Sequence, residues 1–358
     1  MRSIITEIVV SVIGFGFIFA HTPEIEWIKI LPEGSDCYHV QQTTDKGYVF
    51  SGRNLDGDFY LAKTDSLGNF QWQKNFPAEI FCDIANSVQH TKDGGYIFVG
   101  SANGDTLIYI YVAKTDSLGN LQWDRKFSID TTNLGYCIQQ TNDGGYIFTG
   151  EELAVDSSVF IVKIDSLGNL QWRRRLPQSC DFCSSFIPVQ QTRDGGYIVG
   201  AGNLIKTDSL GNFLWKKDFA LMGWTFSVQQ TKDGGYIATS VGAPVTNPRS
   251  HDVYLVKTDS MGNLQWNKTY GGDKDDQGWW VRQTQDGGYI VSGMTNSFGT
   301  FGDGYIIRTD SLGLPRWTMT LDLMHGEVFC IQQTEDGGYI LMARGNRLIK
   351  LAPEVHGR

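Results

Sequence analysis

Short stretches rich in β-branched and aromatic residues follow one another along this chain, each closed off by a cluster of Gly, Asp, Ser, Thr or Asn. One span runs through a stretch ending in "VQQT", then "GYIFVG", then "YIYVAKTD", then the alternating "NLQWDRKF". Alternating or wholly apolar runs of this length, bounded by turn residues, are strand signals. Beyond residue 20 no apolar i, i+3, i+4 stripe persists, so no helix is expected.

The strand signals recur with a period. "TKDGGYIFVG" (91–100) has counterparts whose Asp falls at Asp45, Asp93, Asp143, Asp194, Asp233, Asp286 and Asp336, spaced by 48, 50, 51, 39, 53 and 50 residues. A second phrase follows each of the first six, as in "KTDSLGNLQW" (114–123). Both phrases carry Gly at the fourth position of a four-residue turn, which suits a type I turn followed by a left-handed residue. Asp45-Lys46-Gly47 puts Lys where the other repeats put Gly, so strain is expected in that turn. Four antiparallel strands per repeat and seven repeats predict an all-β, seven-bladed β-propeller. The last repeat stops after its third strand, "RLIKLAPE" (347–354), and the missing Trp-bearing strand lies at the other end as "EIEWIKIL" (24–31). Pairing the two extremities closes the ring and leaves no exposed sheet edge there.

Composition refines this picture. Gly 42, Trp 10 and Tyr 15 describe a turn-rich, aromatic chain. A net charge of −9 argues against nucleic acid and anionic membrane surfaces as partners. "MRSIITE" followed by "IVVSVIGFGFIFA" (8–20) reads as a signal peptide, too short for the roughly 20 residues of a membrane span. The expected layout is a signal peptide over 1–20 and a propeller over 21–358, a monomer that is secreted or periplasmic and free of the membrane once cleaved. The six cysteines, Cys37, Cys82, Cys137, Cys180, Cys183 and Cys330, permit disulfides in such a compartment, with the pairing left open. Cys137 and Cys330 share a repeat position four blades apart, which argues against a bond between them.

Trp27, Trp72, Trp123, Trp172, Trp215, Trp266 and Trp317 occupy equivalent fourth-strand positions. They are expected to pack on the neighbouring blade and to give their N–H groups to backbone carbonyls. Paired glutamines such as Gln41-Gln42 and Gln139-Gln140 are expected to satisfy turn and inner-strand groups. The "TDSLGNLQW" unit resembles the docking-tryptophan motif of quinoprotein-like propellers, with a turn one residue shorter. "DGGYI…KTDSxGNxxW" more closely resembles repeats of secreted bacterial and archaeal propellers, and the resemblance covers essentially the whole chain after the signal. Quinoprotein dehydrogenases hold their cofactor with adjacent cysteines and a calcium-ligand set. No Cys-Cys pair occurs here, so that chemistry is not carried over.

Comparing the repeats with one another separates two faces. The first-to-second and third-to-fourth turns are nearly constant, while the second-to-third and fourth-to-first loops vary, as in "VGAPVTNPRSHD", "PQSCDFCSSFI" and "GGDKDDQGWW". Recognition is therefore expected on the variable-loop face. One inner-strand position holds His39, Ser87, Cys137, Pro188, Ser227, Trp280 and Cys330, and Trp280 is much the largest. Trp280 is the leading candidate for an exposed or channel-side ligand contact, whereas Trp279 falls where core aromatics sit. Trp224, Phe182, Arg249, His251 and His325 complete the ligand-binding candidates. Asp273 and Asp275 have the D-x-D spacing of a calcium loop without its distal acid, and calcium is the metal kept as a candidate. Cys180-Asp-Phe-Cys183 has zinc-like spacing, but no second C-x-x-C or His pair follows it.

The expected function is an exported, non-enzymatic recognition or scaffolding propeller that binds a protein, peptide or glycan. The alternative is a channel-sited glycan hydrolase or lyase with carboxylates drawn from different blades, among Asp36, Glu151, Asp181, Asp276 and Glu327.

Overall fold

The computed structural model describes residues 22–31, 36–76, 80–103, 108–128, 132–179, 186–219, 224–242, 250–299, 302–322 and 326–354. These form seven four-stranded antiparallel sheets and no helix. The inner strands of blades 1 to 7 are Asp36–Gln42, Ile80–His90, Thr132–Gln140, Val189–Gln191, Thr225–Gln230, Asp276–Gln283 and Val328–Gln333. Blade 7 is completed by Ile25–Ile30, whose Ile28 pairs with Ile349 of the strand Arg347–Leu351. Bonds from Leu31 N–H to Asn346 (2.8 Å) and from Ala352 N–H to Glu24 (2.9 Å) lock the two ends together. The seven-bladed, end-closed ring expected from the repeats is the one observed.

The constant phrases each perform a defined job. In "TKDGG", Gly94 adopts φ 84° and its N–H returns to Thr91 O at 2.9 Å. Asp93 Oδ1 receives the Thr91 hydroxyl (2.5 Å) and Gly95 N–H (3.2 Å), while Oδ2 meets Lys114 of "KTD" at 2.8 Å. The equivalent pairs recur in every blade, with Arg308 replacing Lys in blade 6. Each of these lysines is buried, and its ammonium, held by the turn aspartate, ties the first turn to the third strand. Lys46 takes φ 65°, a left-handed conformation that costs about 1 kcal/mol for a residue with a Cβ.

The seven tryptophans weld blade to blade. Trp123 of blade 2 lies edge-on to Tyr146 of blade 3 at 5.9 Å and covers Gly168, where a Cβ would sit 2.8 Å from the indole. Equivalent tryptophan–tyrosine contacts close all seven seams. One expectation fails: among the described residues none of these indoles donates to a backbone carbonyl. Six are half-buried and reach water, and Trp317, which is buried, has an unpartnered Nε1. Face-on packing against glycine supplies the contact instead.

Cys37, Cys137 and Cys330 are in no disulfide, and Cys330 is buried where its Sγ receives Val40 N–H. Cys82, Cys180 and Cys183 fall outside the described side chains.

Candidate functional site

The channel is lined in tiers by the inner strands. At the constant-turn end lie the paired glutamines. The first glutamine of each pair accepts a backbone N–H from the next blade: His90 to Gln41 (2.7 Å), Gln140 to Gln89, Gln191 to Gln139 (2.6 Å), Gln230 to Gln190 (2.5 Å), Gln283 to Gln229 (2.7 Å) and Gln42 to Gln332 (3.1 Å). The second glutamine accepts a turn N–H from the preceding blade and donates to its own turn, as Gln191 does with Asn142 N–H and Gly195 O. The pairs thus satisfy backbone groups, as expected. The girdle is interrupted twice. His90 replaces a second glutamine, and Arg282 replaces a first. A polar cavity of about 230 Å³ lies at this mouth, among Gln41, Gln42, Thr44, His90, Gln285 and Glu335.

Next comes the throat, where Trp280 sits. The ring is channel-side but only 7 % exposed, packed against His39 (5.0 Å) and Phe186 (5.9 Å). The Arg282 guanidinium stacks over it at 4.0 Å. Arg282 Nη1 donates to Ser227 Oγ (3.0 Å) and Val281 O (2.7 Å). Burial, and then the Arg282 charge, push the His39 imidazole down to about 3, so it is neutral, and its Nδ1 faces Val88 N–H at 3.4 Å. Burial pushes the Cys330 thiol up to about 12.

The variable-loop mouth carries a second aromatic group. Trp279 stacks on Phe329 (5.6 Å, 13°), and Phe329 meets Tyr38 at 5.2 Å, so blades 6, 7 and 1 contribute one continuous arc. All three are partly exposed, as are Phe226 and Trp224 of blade 5, which lie 6.3 Å apart. Trp279, expected in the core, is partly exposed beside Phe329, while Trp280 lies channel-side but buried. A bulge between Gly278 and Trp280 puts an extra residue in the strand, turning Trp279 out to the mouth and Trp280 into the throat. Asp36, on the strand of Tyr38, pairs with Arg53 (2.8 Å), and Glu327, just before the strand of Phe329, pairs with Arg344 (3.0 Å).

The remaining candidates do not converge. Phe182, Arg249 and His325 lie outside the described residues. His251 is exposed; its backbone N–H (2.8 Å) and ring Nδ1 (3.2 Å) both meet Asp275 Oδ1. Asp273 is exposed on the same loop. Among the described residues no group of three or more His, Cys, Asp or Glu is arranged to hold a metal. Of the carboxylates considered for hydrolysis, Asp36 and Glu327 are ion-paired, Glu151 accepts the Tyr136 hydroxyl (2.6 Å), and Asp181 is not described.

Asp276 turns inward instead, accepting from Gly272 N–H (2.9 Å) and Ser297 Oγ (2.6 Å). Asp252 and Asp276 converge on Gly271, where a Cβ would lie 2.4 Å from one carboxylate and 2.7 Å from the other. Each keeps one buried oxygen without a partner. Burial, then Asp276 and Asp275, push Asp252 up to about 6. A carboxyl raised above its unfolded value favours the native state when protonated. Its penalty is absent below about pH 4 and complete above about pH 6. Asp252→Asn should therefore raise stability at pH 7.5 by about 1–2 kcal/mol, allowing for solvent screening, and change it little at pH 4. Urea unfolding with a chelator present measures this, and a loss of stability at pH 7.5 would contradict it.

Residue by residue, the sequence reading missed Arg282, although "VRQ" against six glutamine pairs or Gln-His was legible. It also missed the Asp–Lys pair within each repeat, because the two residues stand apart in the sequence.

No family model matches the chain, and no curated protein matches it. Solved structures do. The WD40 propeller domain of Doa1 is similar over 92 % of this chain and 97 % of its own, at 12 % identity and a TM-score of 0.64. Streptogramin B lyase is similar over 91 % and 97 %, at 14 % identity and 0.61. YCF48 bound to D1 peptide is similar over 94 % and 99 %, at 10 % identity and 0.58. At such identities the likeness establishes the propeller fold and nothing finer.

Proposed function

We propose that this protein is an exported, non-enzymatic propeller that binds a protein or peptide segment at the variable-loop mouth of its channel. The carrying observation is the arc Trp279–Phe329–Tyr38, extended by Phe226 and Trp224. Partly exposed aromatic rings beside ion-paired charges have the anatomy of a recognition patch, where aromatic anchors carry most of the energy. The structure of YCF48 with a peptide bound supports peptide binding as a use of this fold. The apolar run at 8–20 supports export, and the protein recovered outside the cytoplasm should begin near residue 21.

The test is a peptide and glycan array probed with residues 21–358, repeated with Trp279→Ala/Phe329→Ala. Peptide hits weakened about ten-fold or more in the double variant, with thermal stability retained, support the reading. Hits confined to glycans, or peptide hits indifferent to the substitutions, overturn it.

A further inference from the structure

Two departures from the repeat, Trp280 and Arg282, touch each other. Six blades place glutamine at the position of Arg282, and each glutamine oxygen serves a neighbouring N–H. A guanidinium accepts no hydrogen bond, so Gln333 N–H loses the partner its equivalents have. The substitution therefore costs the girdle one bond and places a cation in the throat.

Among the described residues nothing compensates that cation. Its neighbours there are a neutral imidazole, two thiols, a hydroxyl and an indole face, contributed by blades 1, 3, 5, 6 and 7. Among the described residues no carboxylate pairs with Arg282. Both of its hydrogen bonds leave from Nη1. Nε and Nη2, the edge that grips a carboxylate through two parallel bonds, donate to nothing described, and the side chain keeps some solvent access. Trp280 covers one face of the guanidinium and holds it by cation–π contact. A charge left unpaired in such a place is costly unless a ligand completes it.

We propose that Arg282 is a carboxylate receptor at the base of the aromatic mouth, and that the bound segment delivers either its C-terminal carboxylate or an Asp/Glu side chain to it. This rests on the peptide-binding reading and names its ligand chemistry. Trp279 and Phe329 stand one residue before Trp280 and Cys330, so a chain lying against the mouth aromatics meets the throat next.

The test uses N-acetylated hexapeptides in three forms: free C-terminal carboxylate, C-terminal amide, and amide with one internal glutamate. Titration calorimetry compares the native chain with Arg282→Gln. Glutamine is the residue six blades use, so this variant should melt at the native temperature or above. A carboxylate-bearing form should bind about ten-fold tighter than the amide, and Arg282→Gln should erase the difference. Preference for the first form identifies a chain terminus, and preference for the third a side chain. Equal binding of all three by the native chain, or a carboxylate-bearing form that Arg282→Gln binds within about two-fold of the native affinity, overturns the proposal while leaving the aromatic mouth intact. Should no peptide bind, the mouth reading fails, and sodium acetate against chloride at equal ionic strength decides Arg282. Acetate must raise the melting temperature of the native chain alone, and otherwise the receptor falls too.

Discussion

Acidification from pH 4 toward pH 2 is expected to unfold the ring in one steep transition. The cause is a sevenfold repetition. Partial burial pushes Asp93 up, but Lys114, the Thr91 hydroxyl and Gly95 N–H outweigh it and hold the carboxyl at about 2. Asp45, Asp143, Asp194, Asp233, Asp286 and Asp336 are held below the usual range by equivalent partners. A carboxyl depressed in the native state stabilises it above the unfolded value, here 3.8, and that contribution disappears as pH falls through the folded value. One such group gives a shallow slope. Seven in one cooperative ring give a stability that drops by several proton equivalents per pH unit, each about 1.4 kcal/mol. Urea melts at pH steps between 4 and 2.5 read the slope directly, and a slope of one proton or fewer would show that the turn carboxylates do not hold the blades.

The second large effect concerns the seam where the chain's ends meet. Trp27→Ala should destabilise the fold as much as Trp123→Ala, by about 3 kcal/mol, the low end for a tryptophan because both indoles are half-buried. In a chain of this size the melting temperature falls by roughly 4 °C. Trp123 joins blades 2 and 3 inside the chain, whereas Trp27 joins blade 7 to blade 1, touching Tyr48 at 5.9 Å and covering Gly68. Equal losses mean the closing seam carries the same load as the others. A silent Trp27→Ala beside a costly Trp123→Ala would mean that the ring is open in solution.

Much of this was legible because repetition compares the chain with itself. Seven turn phrases announce seven hairpins, since only glycine suits the left-handed position at low cost, and Lys46 was readable as the exception. The site was less legible. Trp280 stood out by size, but its burial under Arg282 and the stacking of Trp279 on Phe329 depend on the folded strand and on a neighbouring blade. The Asp252–Asp276 pair joins residues 24 positions apart on adjacent blades, a proximity that periodicity cannot express.

The amino-acid sequence by itself determined the blade count, the turn chemistry and the strand that shuts the ring, because those depend on local conformation and on alternation along one strand. Tertiary structure decided what stands around the axis. Side chains there come from blades far apart in sequence, and their charge states follow from burial among one another. Arg282 is an ordinary surface letter when read in line. Only the closed ring turns it into a largely desolvated cation with no described carboxylate beside it.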